Sequence, residues 1–377
     1  MDKFYMILMF AVTYFPTLIL IALVPYFTRK SENFGIGTPE EFYEREDLKT
    51  IRRKYRNRTF TEGFVSGAVI LASCILFDLM IAMMIFMAGL LLLILVSFLF
   101  YLLGHSQVKK LKQDEKWIVD KPQMIYVDTE FRKNRTSIFP LWFVLYPVII
   151  VGTILMGILV YDKLPALVPI HFDAAGAANG WAAKSVKVLF MMPAAQVFIA
   201  LVMAFAYFMI VKSKQYSEVS NPKESLEQNR KFRYYWSAYI LFSGAAVLLM
   251  FTFIQMTTLG IIKSSLILPV TLTVPAGMVI AAILLAVKAG QGGSRLSKAA
   301  PAIEKEDSNN VVRRDEDRYW KLGIIYFNPG DPAMFVEKRF GVGWTLNFAR
   351  PLAFIIIGGI VVILPAVLIL AMKWMAK

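Results

Sequence analysis

The sequence predicts an all-α polytopic membrane protein of about eight transmembrane helices with a small cytosolic β-element, and three observations carry that prediction. Of 377 residues, 57% are hydrophobic and only 18% charged, whereas soluble domains carry about 25% charged residues. The apolar residues gather in runs near 4–27, 62–78, 80–103, 139–161, 188–211, 234–257, 264–287 and 351–373, most of them close to the roughly 20 residues that cross about 30 Å of hydrocarbon. Between the runs, charge alternates. Lys and Arg number 9 in 28–61, 8 in 104–138, 6 in 212–233 and 11 in 288–350, against none at the turn near Asp78, 3 in 162–187 and 1 in 258–263. The positive-inside rule makes the rich connections cytoplasmic, so both termini and the 162–187 loop are expected outside a cell membrane. Topology then accounts for the formal net charge of +14, and the expected partners are membrane lipids rather than nucleic acid.

The chain divides into a three-span region with its connections (1–138), a four-span region (139–288) and a C-terminal region (289–377). The first run has no small-residue cleavage site and is expected to be retained as a span. In connection 28–61 a helix is predicted with Thr38 as N-cap, Pro39 first and Glu41 as capping-box acid, acids early and bases late. Its stripe of Leu48, Ile51 and Tyr55 is expected to lie along the inner membrane surface, or the helix is a solvated connector held by its caps. Apolar character from Phe64 to Leu103 is broken only by Asp78; one helix of that length would measure about 60 Å, so two spans and a tight turn are expected.

Connection 104–138 carries His105 at a span edge, then the β-rich stretch Gln123–Thr129, a predicted strand. Residues 289–316 resemble a flexible linker. After it, 320–327, 328–332, 333–338 and 339–344 read as strand, turn, strand and Gly-rich turn, a hairpin expected to recruit 123–129. Phe34-Gly-Ile-Gly37 and Phe340-Gly-Val-Gly343 echo each other and suggest two glycine turns at equivalent membrane edges.

The spans hold few polar groups (Gln196, Gln255, Thr252, Thr271), which counts against a charge-coupled transporter. No HExxH, GxSxG, GxGD or phosphate-binding loop occurs, and Cys74 stands alone; no catalytic residue, metal or cofactor is assigned. Loop 162–187 remains. Pro165 and Pro169 favour an extended lead-in, and in a strand His171 and Asp173 would share one face. Such a pair can shape a loop, bind a ligand or do base chemistry. Gly176, Asn179 and Gly180 supply turns, Trp181 suits the headgroup level, and Lys184 can meet phosphate or carboxylate.

These residues, in the order Leu164-Pro165-x-x-x-Pro169-x-His171-Phe-Asp173-x-x-Gly176-x-x-Asn179-Gly180-Trp181-x-x-Lys184, resemble the extracellular motif of the bacterial SdpI-like (Sdp immunity) membrane proteins, found mainly in Gram-positive bacteria. Asn179 departs from that pattern, which often has Asp there. Trp320 to Pro351, with Asn328, Asp331, Lys338, Arg339 and Asn347, is similar to a second uncharacterised domain often joined to the first. The resemblance implies a sensor or immunity role: recognition of a toxic peptide or envelope component by His171, Asp173, Asn179, Trp181 and Lys184, with a cytosolic regulator reading the tail. A membrane enzyme acting at the outer headgroup level is the alternative, and a transporter the third reading.

Overall fold

The computed structural model describes residues 3–117, 136–173, 176–214, 222–296, 316–359 and 362. Among them, seven helices are long and apolar enough to cross a membrane. They centre on α1 (Lys3–Phe27), α2 (Glu46–Leu76), α3 (Leu79–Asp114), α4 (Leu145–Val160), α5 (Val186–Lys212), α6 (Pro222–Thr258) and α7 (Ile267–Ala289). Of the predicted last span, α8 (Pro351–Gly358) is described. The predicted strand 123–129 and residues 297–315 of the linker lie outside the described residues.

Asp78 makes the turn between α2 and α3 as expected, its carboxylate accepting the Ile81 N–H at 3.0 Å as N-cap. Upstream, the expected cap is replaced. Asn33 Nδ2 donates to the Thr38 hydroxyl at 2.7 Å, so Thr38 belongs to the small ribbon of β1 (Glu32–Asn33) and β2 (Ile36–Gly37). Glu40–Glu44 form one 3-10 turn, and α2 starts after Arg45 and runs unbroken into the span. The Leu48, Ile51 and Tyr55 stripe therefore meets protein, not lipid: it is buried against Phe34, Ile36, Tyr101 and Val108.

Helices α1 to α3 form one packing unit around Met6, Phe10, Tyr14, Leu18, Ile70 and Leu93. Gly63 and Gly67 of α2 let Leu18 and Tyr14 of α1 approach, close contact of the kind that drives association in lipid. A second unit comprises α4, α5 and α6. Its polar seam is centred on Gln196, whose Nε2 lies 2.8 Å from Leu248 O and 2.9 Å from Thr252 Oγ1, while Gln255 Nε2 donates to Val188 O at 3.2 Å. Helix α7 touches both α6 and α1 and so joins the units.

The C-terminal strands pair differently from the predicted hairpin. Leu322 (φ 52°) and Gly323 (φ 73°) fold the first stretch on itself, giving β5 (Trp320–Lys321) with β6 (Ile325–Tyr326), while β7 (Phe335–Glu337) pairs with β8 (Trp344–Leu346). A bridge between Tyr326 and Asn347 connects the ribbons. The two glycine turns pack on each other: the Phe34 and Phe340 rings stack at 5.6 Å. The start of the predicted linker is also not flexible coil, because Gln291, Gly292 and Gly293 are buried.

Candidate functional site

Loop 162–187 folds as a two-stranded antiparallel hairpin, β3 (Leu167–Phe172) with β4 (Ala178–Ala183). Its inner face, Val168 with Ile170 and Ala182, covers Leu164 after α4 and Val188, Leu189 and Leu259 at the ends of α5 and α6. Its outer face presents His171, Asn179 and Trp181, the indole 55% exposed. Register shifts on both sides of His171 break the simple alternation. His171 Nδ1 accordingly bonds to Asn179 Oδ1, not to Asp173.

Asp173 and Lys184 shape the hairpin instead. The Asp173 N–H donates to Ala177 O at 2.9 Å, its carbonyl accepts the Gly176 N–H at 3.0 Å, and its Oδ1 accepts the Ala177 N–H at 2.9 Å. Gly176, at φ +83°, rests on the connection before α7, where a β-carbon would fall 2.7 Å from the Ser264 carbonyl carbon. Lys184 Nζ donates to Asp162 O at 3.1 Å and sits 5.0 Å from the centre of the Tyr161 ring, fastening the two ends of the loop. An amide partner can orient the His171 ring but offers no negative charge to an imidazolium.

At the opposite end of the bundle, the predicted tail residues divide by role. Asn347 is fully buried; its Nδ2 reaches Asn328 O at 3.0 Å and Asp331 O at 3.1 Å, and its Oδ1 accepts the Asn328 and Ala349 N–H groups at 3.1 Å. Asp331 accepts from Lys214 at 2.7 Å and Tyr326 at 2.8 Å. Asn328 Oδ1 takes the Gly330 N–H at 3.0 Å, and Lys338 is exposed. Arg339 pairs with Asp317, which also takes Lys112 at 2.6 Å.

Arg339 belongs to a junction that sequence reasoning missed. Glu337 takes both Arg29 and Asn229; the Arg29 N–H donates to Gln291 Oε1 at 3.1 Å, and Gln291 Nε2 donates to Glu32 at 3.3 Å. Four separated stretches of chain, 29–32, 229, 291 and 337–339, meet here. Arg29 and Glu337 stand 308 residues apart, so no local spacing reveals them; the only signal is Gly290-Gln-Gly-Gly293, whose glycines all have positive φ.

Burial pushes the Glu32 carboxyl above its usual range despite Arg29 and Arg339. For Asp317, burial pushes the same way but is outweighed by Arg339, Lys112 and the Gly37 N–H, which hold it below the ordinary range. The sign follows from linkage: a depressed carboxylate contributes stability above its unfolded pKa, about 4, and loses it as pH falls through the folded value. Unfolding midpoints of detergent-solubilised protein should therefore drop below about pH 4 in the wild type, and Asp317→Asn should already be less stable at neutral pH with a shallower acid limb. An unchanged acid limb would remove Asp317 from this role.

Together these features define a mostly helical, multi-pass membrane protein with a fastened hairpin at one end and a buried charged junction at the other. Residues 148–197, from α4 through the hairpin into α5, match the family model described as Domain of unknown function (DUF1648). Residues 329–353 match the Family of unknown function (DUF5808). No curated protein and no solved structure matches the chain.

Proposed function

We propose that this protein is a membrane sensor or immunity-type protein of the SdpI-like kind, which recognises a toxic peptide or envelope component through the outer face of the hairpin. The DUF1648 match supports the reading, since that domain is found in SdpI-like proteins. The observation that carries it is the division of labour in the hairpin: Asp173, Gly176 and Lys184 hold its shape, while His171, Asn179 and Trp181 stand exposed. An amphipathic aromatic beside hydrogen-bonding groups is the composition of a recognition surface. In this reading the hairpin and both termini lie outside a Gram-positive cell membrane, by the distribution of positive charge. A cytosolic regulator would meet the other end, where Lys338 and the Pro329-Gly330 turn are exposed.

Truncating an anchoring aromatic typically costs binding about 2 kcal/mol or more, over tenfold in affinity. Trp181→Ala should therefore raise sensitivity to the recognised peptide by about tenfold, and His171→Ala with Asn179→Ala should add to it, at wild-type protein levels. Growth inhibition of a deletion strain carrying each variant, across a panel of envelope-active peptides, is the measurement. If the deletion is sensitised and the triple variant protects fully, the hairpin face is not the recognition surface.

A further inference from the structure

The first packing unit contains an acid inside a span. Glu62 lies at the edge of the predicted run 62–78, but α2 continues through it, and its neighbour Gly63 packs on Leu18 and accepts the Tyr14 hydroxyl of α1 at 2.9 Å. Tyr14 is 13 residues from Phe27 at the end of α1, about 20 Å along the helix axis. Glu62 is therefore well within the bundle. Its Oε1 accepts from Ser66 Oγ at 2.6 Å, while its Oε2 is buried and has no donor.

Two further hydroxyls lie at this level. Thr59, fully buried, sits beside the Tyr55 hydroxyl, which donates to Ile21 O at 3.1 Å. Ser97 Oγ of α3 is without a hydrogen-bond partner, its residue 3% exposed. Gly89 meets Ile70 and Phe100 meets Arg58, so the antiparallel pairing of α2 with α3 puts Ser97 opposite the Glu62 turn. Ser97 is six residues inside Leu103, the last residue of the predicted third span, about 9 Å along the axis.

No cation of the protein balances Glu62 among the described residues: Arg58, one turn away, is exposed with its guanidinium 5.9 Å from the Phe100 ring. The titratable neighbour is Tyr14 of α1. A carboxylate in a span without a partner is costly, and such residues mark ion and proton sites. One negative charge calls for one positive charge, and hydroxyl and carboxylate oxygens are donors for a hard ion.

We propose that Glu62 is the carboxylate of an intramembrane Na+ site, completed by the hydroxyls of Thr59, Ser66, Ser97 and Tyr14. The site is independent of the hairpin and of the recognition reading. It gives the N-terminal helices a role of their own, in which occupancy by the cation sets how tightly α1, α2 and α3 pack.

The test uses the full chain in nanodiscs of neutral lipid, comparing thermal unfolding in NaCl and in choline chloride of equal ionic strength. A ligand that binds only the folded state raises the midpoint. Expected is a rise of several degrees with Na+, absent in Glu62→Gln. Thr59→Val with Ser97→Ala should raise the half-saturating Na+ concentration about tenfold, as expected from losing ligand oxygens worth about 1.4 kcal/mol. A wild type indifferent to Na+ overturns the proposal without recourse to any variant, as does Glu62→Gln responding like the wild type.

Discussion

Glu337→Gln is expected to destabilise the protein by about 3–5 kcal/mol, the cost of breaking a buried ion pair from one side. The Glu337 and Arg29 side chains are 4% and 8% exposed, so the guanidinium that loses this carboxylate has little water to turn to, with Glu32 the acid still close to it. The second Glu337 oxygen accepts from Asn229 Nδ2, and a glutamine there would have to choose which of two donors to face with its single carbonyl. Because removing both charges also removes the desolvation penalty, Arg29→Met with Glu337→Met should recover most of the loss. Unfolding in mixed micelles measures both variants. A Glu337→Gln loss under about 1 kcal/mol would mean that the pair behaves as an exposed one.

What was legible in the sequence follows the range of the interactions that decide each feature. A span needs only its own apolar run, and the turn at Asp78 only one capping side chain, so both could be read locally. In the outer loop, Pro165 and Pro169 mark an extended lead-in and Gly176 to Gly180 mark turns, but the pairing of two strands is not written in either. Nor is the pairing of His171, because it depends on register shifts, and one extra residue changes which side chains are neighbours. Amphipathicity correctly marked Leu48, Ile51 and Tyr55 as a face that must be covered, yet it carries no information on whether lipid or protein covers it. Glu62 falls at the edge of an apolar run because a charge ends the run in sequence, while helix packing does not stop there. The charged junction was least legible. Gln291 among glycines has the composition of a linker, and only the arrival of Arg29, Glu32 and Gln228 from distant parts of the chain explains why side chains are excluded on either side of it.

That exclusion makes Gly292→Ala the second large effect expected. Gly292 has φ +59° and ψ 15°, a left-handed conformation that costs an L-residue roughly 1–2 kcal/mol. A β-carbon there would overlap Arg29 Nη2 and lie 2.7 Å from Glu337 Oε2, so the methyl group can be housed only if the Arg29–Glu337 pair moves apart. The loss should therefore exceed the conformational cost and approach that of Glu337→Gln. Gly277 supplies the control, since it is inside α7 with nothing within 4 Å of an added β-carbon; Gly277→Ala should be stabilising by about 0.5–1 kcal/mol. Coupling gives the sharper test. If Gly292→Ala acts by parting the pair, its effect must shrink in the Arg29→Met, Glu337→Met background to little more than the backbone term, whereas independent effects would add. Full additivity would show that the glycine is needed for the turn alone and that the ion pair can shift around a methyl group.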